Sequence, residues 1–281
     1  MATDVTKRVL LCADDFGLHT EVDAAILELA ASGRLGATSC LVDGPGFELG
    51  AARLNQTALQ VGLHLNFTES FPRGGTVAHP LHHLLMIAWL RRLSLAEIRA
   101  EIARQLDRFA AVMGRLPDYV DGHQHVHQFP VIRDALFLEI AARCLETGWR
   151  PWLRSTVAGT FGDLPPGTRL KSLIIERLGA AAFRHRAQHH GHRVNQRLLG
   201  VYDFQGGREG YLALTRHWLA VAGDGDLIMC HPAKASVPGD ALGKQRVAEF
   251  DILASALLDA ELAQNGIHLT SDFFRSDATS G

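Results

Sequence analysis

The chain has almost no net charge, no paired-cysteine motif and no long apolar run. Its formal net charge is -2, so no global field favours nucleic acid or an anionic membrane. Its 4 cysteines, Cys12, Cys40, Cys144 and Cys230, are scattered and form no C-x-x-C. That argues against a disulfide framework and makes a reducing, cytoplasmic setting the expectation. The longest uninterrupted apolar stretch, residues 84–90 (LLMIAWL), is far too short for a transmembrane segment. The short apolar run near the N-terminus is broken by Asp14 and Asp15 and reads as no secretory signal. There is no G-x-S-x-G elbow and no P-loop. The fragments Gly44-Pro-Gly46 and Gly223-Asp-Gly225 lack a third glycine in strand–turn–helix context, so nucleotide binding is not expected.

What is present is a core and a surplus of histidine. The 281 residues are 47% hydrophobic, enough for one large α/β domain or two small ones. Strand-like runs lie at 8–13, 37–42, 59–65, 119–123, 152–155, 201–204, 227–230 and 267–270. Most are near-continuously apolar, the pattern of parallel strands buried on both faces. Helical patterns fall between them. The clearest spans 94–114, with Ser94 and Glu97 forming a capping box and Gly114 a stop. Others are expected at 20–32, from Pro130 onward, and at 244–264. The segments 69–80, 159–168 and 185–193 read as loops. The run 84–90 reads as a helix packed on the core, and the apolar residues around Trp89 make a homodimer contact a candidate. No repeat and no linker divides the chain. Alternating strands and helices therefore predict a single-domain irregular (β/α) barrel, TIM-barrel-like, with mostly parallel strands.

The 15 histidines outnumber the 3 tyrosines and 4 tryptophans, and histidine is the side chain suited to metal and proton work near neutral pH. Two carboxylates, Asp14 and Asp15, end the first strand. Burying such a pair is costly unless something compensates. A cation would, with one aspartate as ligand and the other free as a base; the bland alternative is a capped turn at Gly17. His64 ends the third strand. In "DGHQHVH", Asp121, His123, His125 and His127 fall on alternate residues. A strand rise of about 3.3 Å per residue would spread them over roughly 20 Å, so they cannot share one ion. The strand is expected to end near His123, which projects into the site above Asp121. His125 and His127 are then left to the rim or a second layer. Arg154 and His231 end two further strands. Each of these residues has an ordinary explanation alone. Together, Asp14, Asp15, His64, His123, Arg154 and His231 put titratable groups at the same end of several strands, where barrels place catalysis.

One carboxylate and two imidazoles leave positions on an ion open for water and substrate. Imidazole favours zinc and oxygen donors favour magnesium, with manganese or cobalt also compatible. Such an ion lowers the pKa of bound water, with zinc from ~15.7 to around 7. A nearby carboxylate can take the water proton and a histidine can protonate a leaving amine. That machinery suits amide hydrolysis. A metal phosphoesterase and a non-catalytic sugar- or metal-binding protein are the alternatives.

"ADDFG", "GLHLNFTE", "VDGHQHVHQFP" and "LIMCHPA", in this order from Ala13 to Ala233, resemble the YdjC-like carbohydrate deacetylases, the family that includes chitooligosaccharide deacetylase. The resemblance implies a barrel-like hydrolase that uses one divalent metal ion, Mg2+ or Zn2+, and releases acetate from an N-acetylated sugar. It implies Asp15, His64 and His123 as metal ligands, Asp14 as general base, and His231 as the group assisting departure of the amine. Arg154 would orient Asp14. Gln124 stands where the family often has His, and Ala233 where it often has Gly.

Overall fold

The computed structural model describes residues 6–75, 77–159 and 164–272. Eight strands form one sheet: β1 (Lys7–Phe16), β2 (Ala37–Cys40), β3 (Gln60–Leu65), β4 (Tyr119–Gly122), β5 (Trp152–Leu153), β6 (Leu198–Leu199), β7 (Leu227–Cys230) and β8 (Ile267–Leu269). The order is β5-β4-β3-β2-β1-β7-β6, with β8 beside the first residues of β1. Every pairing is parallel. Isolated parallel bridges join Leu153 to Val194 and Ala158 to Leu198, linking the two ends of that order and curling the sheet. The fold is a (β/α)-barrel-like α/β architecture, as the alternation predicts.

The helices are α1 (Thr20–Ala31), α2 (Phe47–Leu54), α3 (Leu81–Trp89), α4 (Leu95–Met113), α5 (Ile132–Thr147), α6 (Pro166–Ile175), α7 (Ala181–His189), α8 (Gly207–Val221), α9 (Gly243–Leu253) and α10 (Ala256–Gln264). In α4 the Ser94 hydroxyl accepts the Glu97 N–H, and Gly114 closes the helix at φ 71°. Ile98, Ile102, Leu106, Phe109 and Met113 form its buried stripe against the sheet. The run 84–90 is mostly α3, but only Leu84 and Ala88 of the helix are buried; Met86, Trp89 and Leu90 are exposed. Among the described residues no helix is long and apolar enough to cross a membrane.

Strand alternation sorts the core into two layers. Val9, Leu11 and Ala13 of β1 belong to the layer under the helices. Leu10 and Cys12 point inward, with Ala37, Tyr119, Trp152, Leu198, Leu227 and Met229. Tyr119 stacks on Trp152 at 4.1 Å, and a side chain at Gly62 would strike the Tyr119 ring. This apolar layer floors the barrel beneath the strand ends.

Five expectations need correction. The sixth strand is Leu198–Leu199, not 201–204. Gly200 turns the chain at φ 91°, where a Cβ would collide with the Met229 carbonyl. The helix expected at 244–264 is two, broken at Ala254 and Ser255. The 185–193 segment is helical as far as His189. The helix expected from Pro130 begins at Ile132, after Val131 at φ 68°. Of the expected loop 159–168, residues 160–163 lie outside the described residues, and α6 begins at Pro166. Thr76 of the 69–80 loop is likewise outside them.

Candidate active site

Two residues beyond the apolar floor, the same inward parity reaches polar side chains. Asp14 follows Cys12, Ser39 follows Ala37, His64 follows Gly62, and Asp121 follows Tyr119. Arg154 follows Trp152, and His231 follows Met229. Asp15 would point outward by parity. Instead β1 breaks register between Ala13 and Phe16, and Asp15 adopts φ 72°. A left-handed aspartate inside a bulge is a strained placement that re-aims one side chain. It lets adjacent carboxylates face the same end of the barrel in different directions.

The inner half of the site is built on Arg154, which is fully buried. Its Nη1 donates to Asp14 Oδ2 at 2.6 Å and its Nη2 to Asp14 Oδ1 at 2.6 Å. The same Nη2 lies 2.7 Å from Asp121 Oδ2, which also accepts the Ser39 hydroxyl at 2.6 Å. Burial alone would raise the Asp14 carboxyl, but the Arg154 guanidinium, with His64 and His231, holds it well below the usual carboxylate range. Asp14 is therefore ionised near neutral pH.

The outer half converges on Asp15 Oδ1. His123 Nδ1 lies 3.0 Å from it and His64 Nε2 3.5 Å. One donor atom from each of Asp15, His64 and His123 falls within 4.8 Å of the other two. Asp15 Oδ2 accepts Arg246 Nη2 at 2.7 Å. Burial acts against the Asp15 charge, but Arg246 and His123 outweigh it and keep the carboxyl ionised. His64 turns its other nitrogen, Nδ1, to Asp121 Oδ1 at 2.7 Å.

These residues fit a divalent cation on charge as well as reach. Three buried carboxylates, Asp14, Asp15 and Asp121, face two buried guanidiniums, Arg154 and Arg246. Arg246 is also shared with Asp240, 2.9 Å from its Nε, so the carboxylates outnumber the guanidiniums. Burial would lower the His123 pKa, yet Asp15 and Glu69 hold it up to about 9. The pocket thus draws a positive charge to the place where an ion would sit. A second donor group, Asp14, His64 and Asp121, also lies within 4.8 Å. There Arg154 already bridges the two carboxylates, so a second ion would meet a fixed positive charge.

His231 Nε2 stands 3.9 Å from Asp14 Oδ2. Its backbone N–H donates to Glu249 at 2.6 Å, and its ring meets Phe204 edge-on at 5.0 Å. Burial lowers its pKa to about 4, so the ring is neutral near pH 7.

The structure brings Asp14, Asp15, His64, His123, Arg154 and His231 to one end of the barrel. It moves others. Asp121 supports His64 rather than His123. Of the two places expected for His125 and His127, the rim and a second layer, both take the second: they are buried, because Gln124 and His125 take φ 52° and 61° and end the strand-like alternation. His127 Nε2 donates to the Arg154 carbonyl at 2.9 Å, bracing that residue from behind. Ser39, Glu69, Arg246 and Glu249 were not singled out from sequence. Glu69 stood inside "NFTE", where Asn66 three residues earlier signals an Asx turn.

A family model described as YdjC-like protein matches residues 8–264. A carbohydrate deacetylase of Mus musculus is 28% identical over 295 residues, covering 93% of this chain and 93% of its own. A chitooligosaccharide deacetylase of Serratia marcescens is 28% identical, covering 94% and 98%. A solved structure from Enterococcus faecalis V583, provisionally described as a cellobiose-phosphate cleavage protein, superposes with a TM-score of 0.63. It is 22% identical over 94% of this chain and 97% of that one, a likeness of fold.

Proposed function

The chain belongs to the YdjC-like protein family, and from that premise we propose that it hydrolyses the N-acetyl group of an amino sugar or oligosaccharide, releasing acetate. Its relatives named carbohydrate deacetylase and chitooligosaccharide deacetylase support the substrate class. The observation that carries the chemistry is the division of labour between adjacent aspartates. Asp15 shares its Oδ1 with two imidazoles, while Asp14 points away from that cluster into the Arg154 guanidinium. Asp14 stands outside that ligand set, which leaves it free to serve as a base as well as to pair with Arg154.

Asp15, His64 and His123 would hold one divalent ion. When bound, it would polarise the acyl oxygen and acidify a water. Two imidazoles to one carboxylate favour zinc over magnesium. Arg154 fixes both oxygens of Asp14, so the carboxylate keeps one orientation while it accepts the water proton. His231, neutral and 3.9 Å from Asp14, can accept a proton from that carboxyl and pass it to the departing nitrogen. Ser39 and Asp121 hold His64 in a single tautomer. All four cysteines are free, as suits a cytoplasmic enzyme.

The test is acetate release from N-acetylglucosamine oligomers with and without chelator. Activity lost to chelator and restored by one equivalent of ion supports the reading. Activity indifferent to chelator overturns the metal assignment. A phosphoesterase would need further ligands, and the position where a second ion would go is held by Arg154. Two tightly held ions per chain would reverse that preference.

A further inference from the structure

The two histidines of the outer site are built alike. His64 turns Nε2 toward Asp15 Oδ1, at 3.5 Å, and Nδ1 toward Asp121, at 2.7 Å. His123 turns Nδ1 toward the same Asp15 oxygen, at 3.0 Å, and Nε2 toward Glu69 Oε1, at 3.5 Å. Each ring has one nitrogen facing inward and the other facing a carboxylate. A metal-ligating imidazole needs such a partner to fix its tautomer and ring angle. We propose that Glu69 is a positioning residue for His123, the outer counterpart of Asp121 on His64.

His123 needs an outside partner more than His64 does. His64 lies within β3, where the ladder fixes its backbone. His123 is the first residue beyond β4, and the next two residues are left-handed. Nothing in a regular ladder holds its ring.

The placement of Glu69 is not that of an ordinary surface acid. Its side chain is 46% exposed, and a pair that open to solvent contributes little to stability. Yet two hydrogen bonds from the Asn66 side chain hold its backbone, and three more fix Thr68 and Asn66 itself. Asn66 Oδ1 accepts the N–H groups of Thr68 and Glu69 at 3.0 and 2.8 Å, and Asn66 Nδ2 donates to the Glu69 carbonyl at 2.7 Å. Fully buried Gln105 of α4 clamps Asn66 in turn. It accepts the Asn66 N–H at 3.0 Å and donates to its carbonyl at 2.8 Å. The chain thus uses a buried glutamine from a helix to fix where one half-exposed glutamate stands. The other end of that glutamate reaches His123.

The inference rests on the reading that Asp15, His64 and His123 hold an ion. Its test is Co2+ binding to the full chain stripped of metal, by calorimetry and by the visible absorption of the bound ion. Glu69→Gln should weaken Co2+ affinity by about 10–100-fold and change the absorption spectrum. Asn66→Ala keeps the carboxylate but removes its cradle, and should shift affinity in the same direction by less. Glu48→Gln, at another half-exposed acid paired with Arg73, should leave affinity and spectrum unchanged. Wild-type affinity and spectrum in Glu69→Gln would overturn the inference alone. So would a raised KM with metal binding intact, which would make Glu69 a substrate contact. A wild-type chain that binds no Co2+ would overturn the metal-site reading along with it.

Discussion

The inner and outer halves of the site are built by different means. The inner half, Asp14, Ser39 and Asp121 on strands and Arg154 one residue past β5, follows the period-2 alternation and is buried throughout. Of the outer half, His64 lies in β3, while Asp15, His123 and Glu69 lie on a bulge, a turn and a loop, with Asp15 at φ 72°. The inner half is kept in place by charge pairing inside a rigid ladder. The outer half is kept in place by side chains reaching in from elsewhere: Arg246 from α9, and Gln105 from α4 by way of Asn66. A position that must not move sits in the sheet. His64, within β3, is the one ligand candidate that the ladder itself holds; His123 and Glu69 sit where the backbone has left the sheet.

The sharpest way to break this contrast is to remove Arg154. Arg154→Ala leaves Asp14 and Asp121 as unpaired buried carboxylates. It should cost about 3–5 kcal/mol of stability in denaturant unfolding, and turnover should fall with it. Among outer residues, Glu69→Gln should leave the unfolding midpoint nearly unchanged. If Arg154→Ala unfolded at the wild-type midpoint, the inner half would not be the structural anchor described here.

Next in size are substitutions that separate the halves by function. Asp14→Asn should cut acetate release by about 10²–10⁴-fold while the ion stays bound. His123→Ala should lose both ion and turnover. Full metal occupancy in His123→Ala would remove that residue from the ligand set.

Two buried groups that back the site should respond to pH with opposite signs. His127, behind Arg154, is pushed down to about 4 by burial. Its ordinary value is near 6.5, so the unfolded chain takes its proton first. The stability it contributes is present above about pH 6.5 and is lost as pH falls toward 4. Asp23, whose carboxylate accepts the Gly17 N–H at 2.6 Å just beyond Asp15, is pushed up to about 6 by burial. Here the folded chain holds the proton longer than the unfolded one. Stability is therefore lost as pH rises from about 4 through 6. Each group amounts to about 3 kcal/mol over its window. Melting temperatures across pH 4–8 should show His127→Gln removing the loss on the acid side and Asp23→Asn removing the loss as pH rises from 4 to 6. The same change in both variants would refute the assignment.

How far the sequence reveals each half follows from the same contrast. Strand alternation is a local signal, so the barrel-like α/β class and most strands could be read directly. Asp14, His64, Arg154 and His231 could be placed at strand ends for the same reason. The sixth strand could not, because Val201 and Tyr202 are buried and apolar like a strand while Gly200 has already turned the chain. Partners brought together by packing leave no local trace. Arg246 meets Asp15 across 231 residues, and Ser39 meets Asp121 across 82. The alternating histidines look like one strand face, but their roughly 20 Å span places the strand's end near His123; β4 does end at Gly122, and two left-handed residues after His123 scatter the rest.

The smallest expected effect comes from the residue between the halves. Gln124 follows His123 and stands where the resembled family often has histidine. At φ 52° it is turned out of the barrel and exposed, so a ring placed there has no path to Asp15. Gln124→His should leave Co2+ affinity within about twofold of wild type, against the ~10–100-fold expected at Glu69. Gln124→Gly, which relieves a left-handed side chain at some entropic cost, should move stability by less than about 1 kcal/mol. A histidine at 124 that tightened the ion tenfold would mean that the outer half can recruit a ligand from its exposed turn. The ligand set would then depend on the flexibility of that turn rather than on the cradle that fixes Glu69.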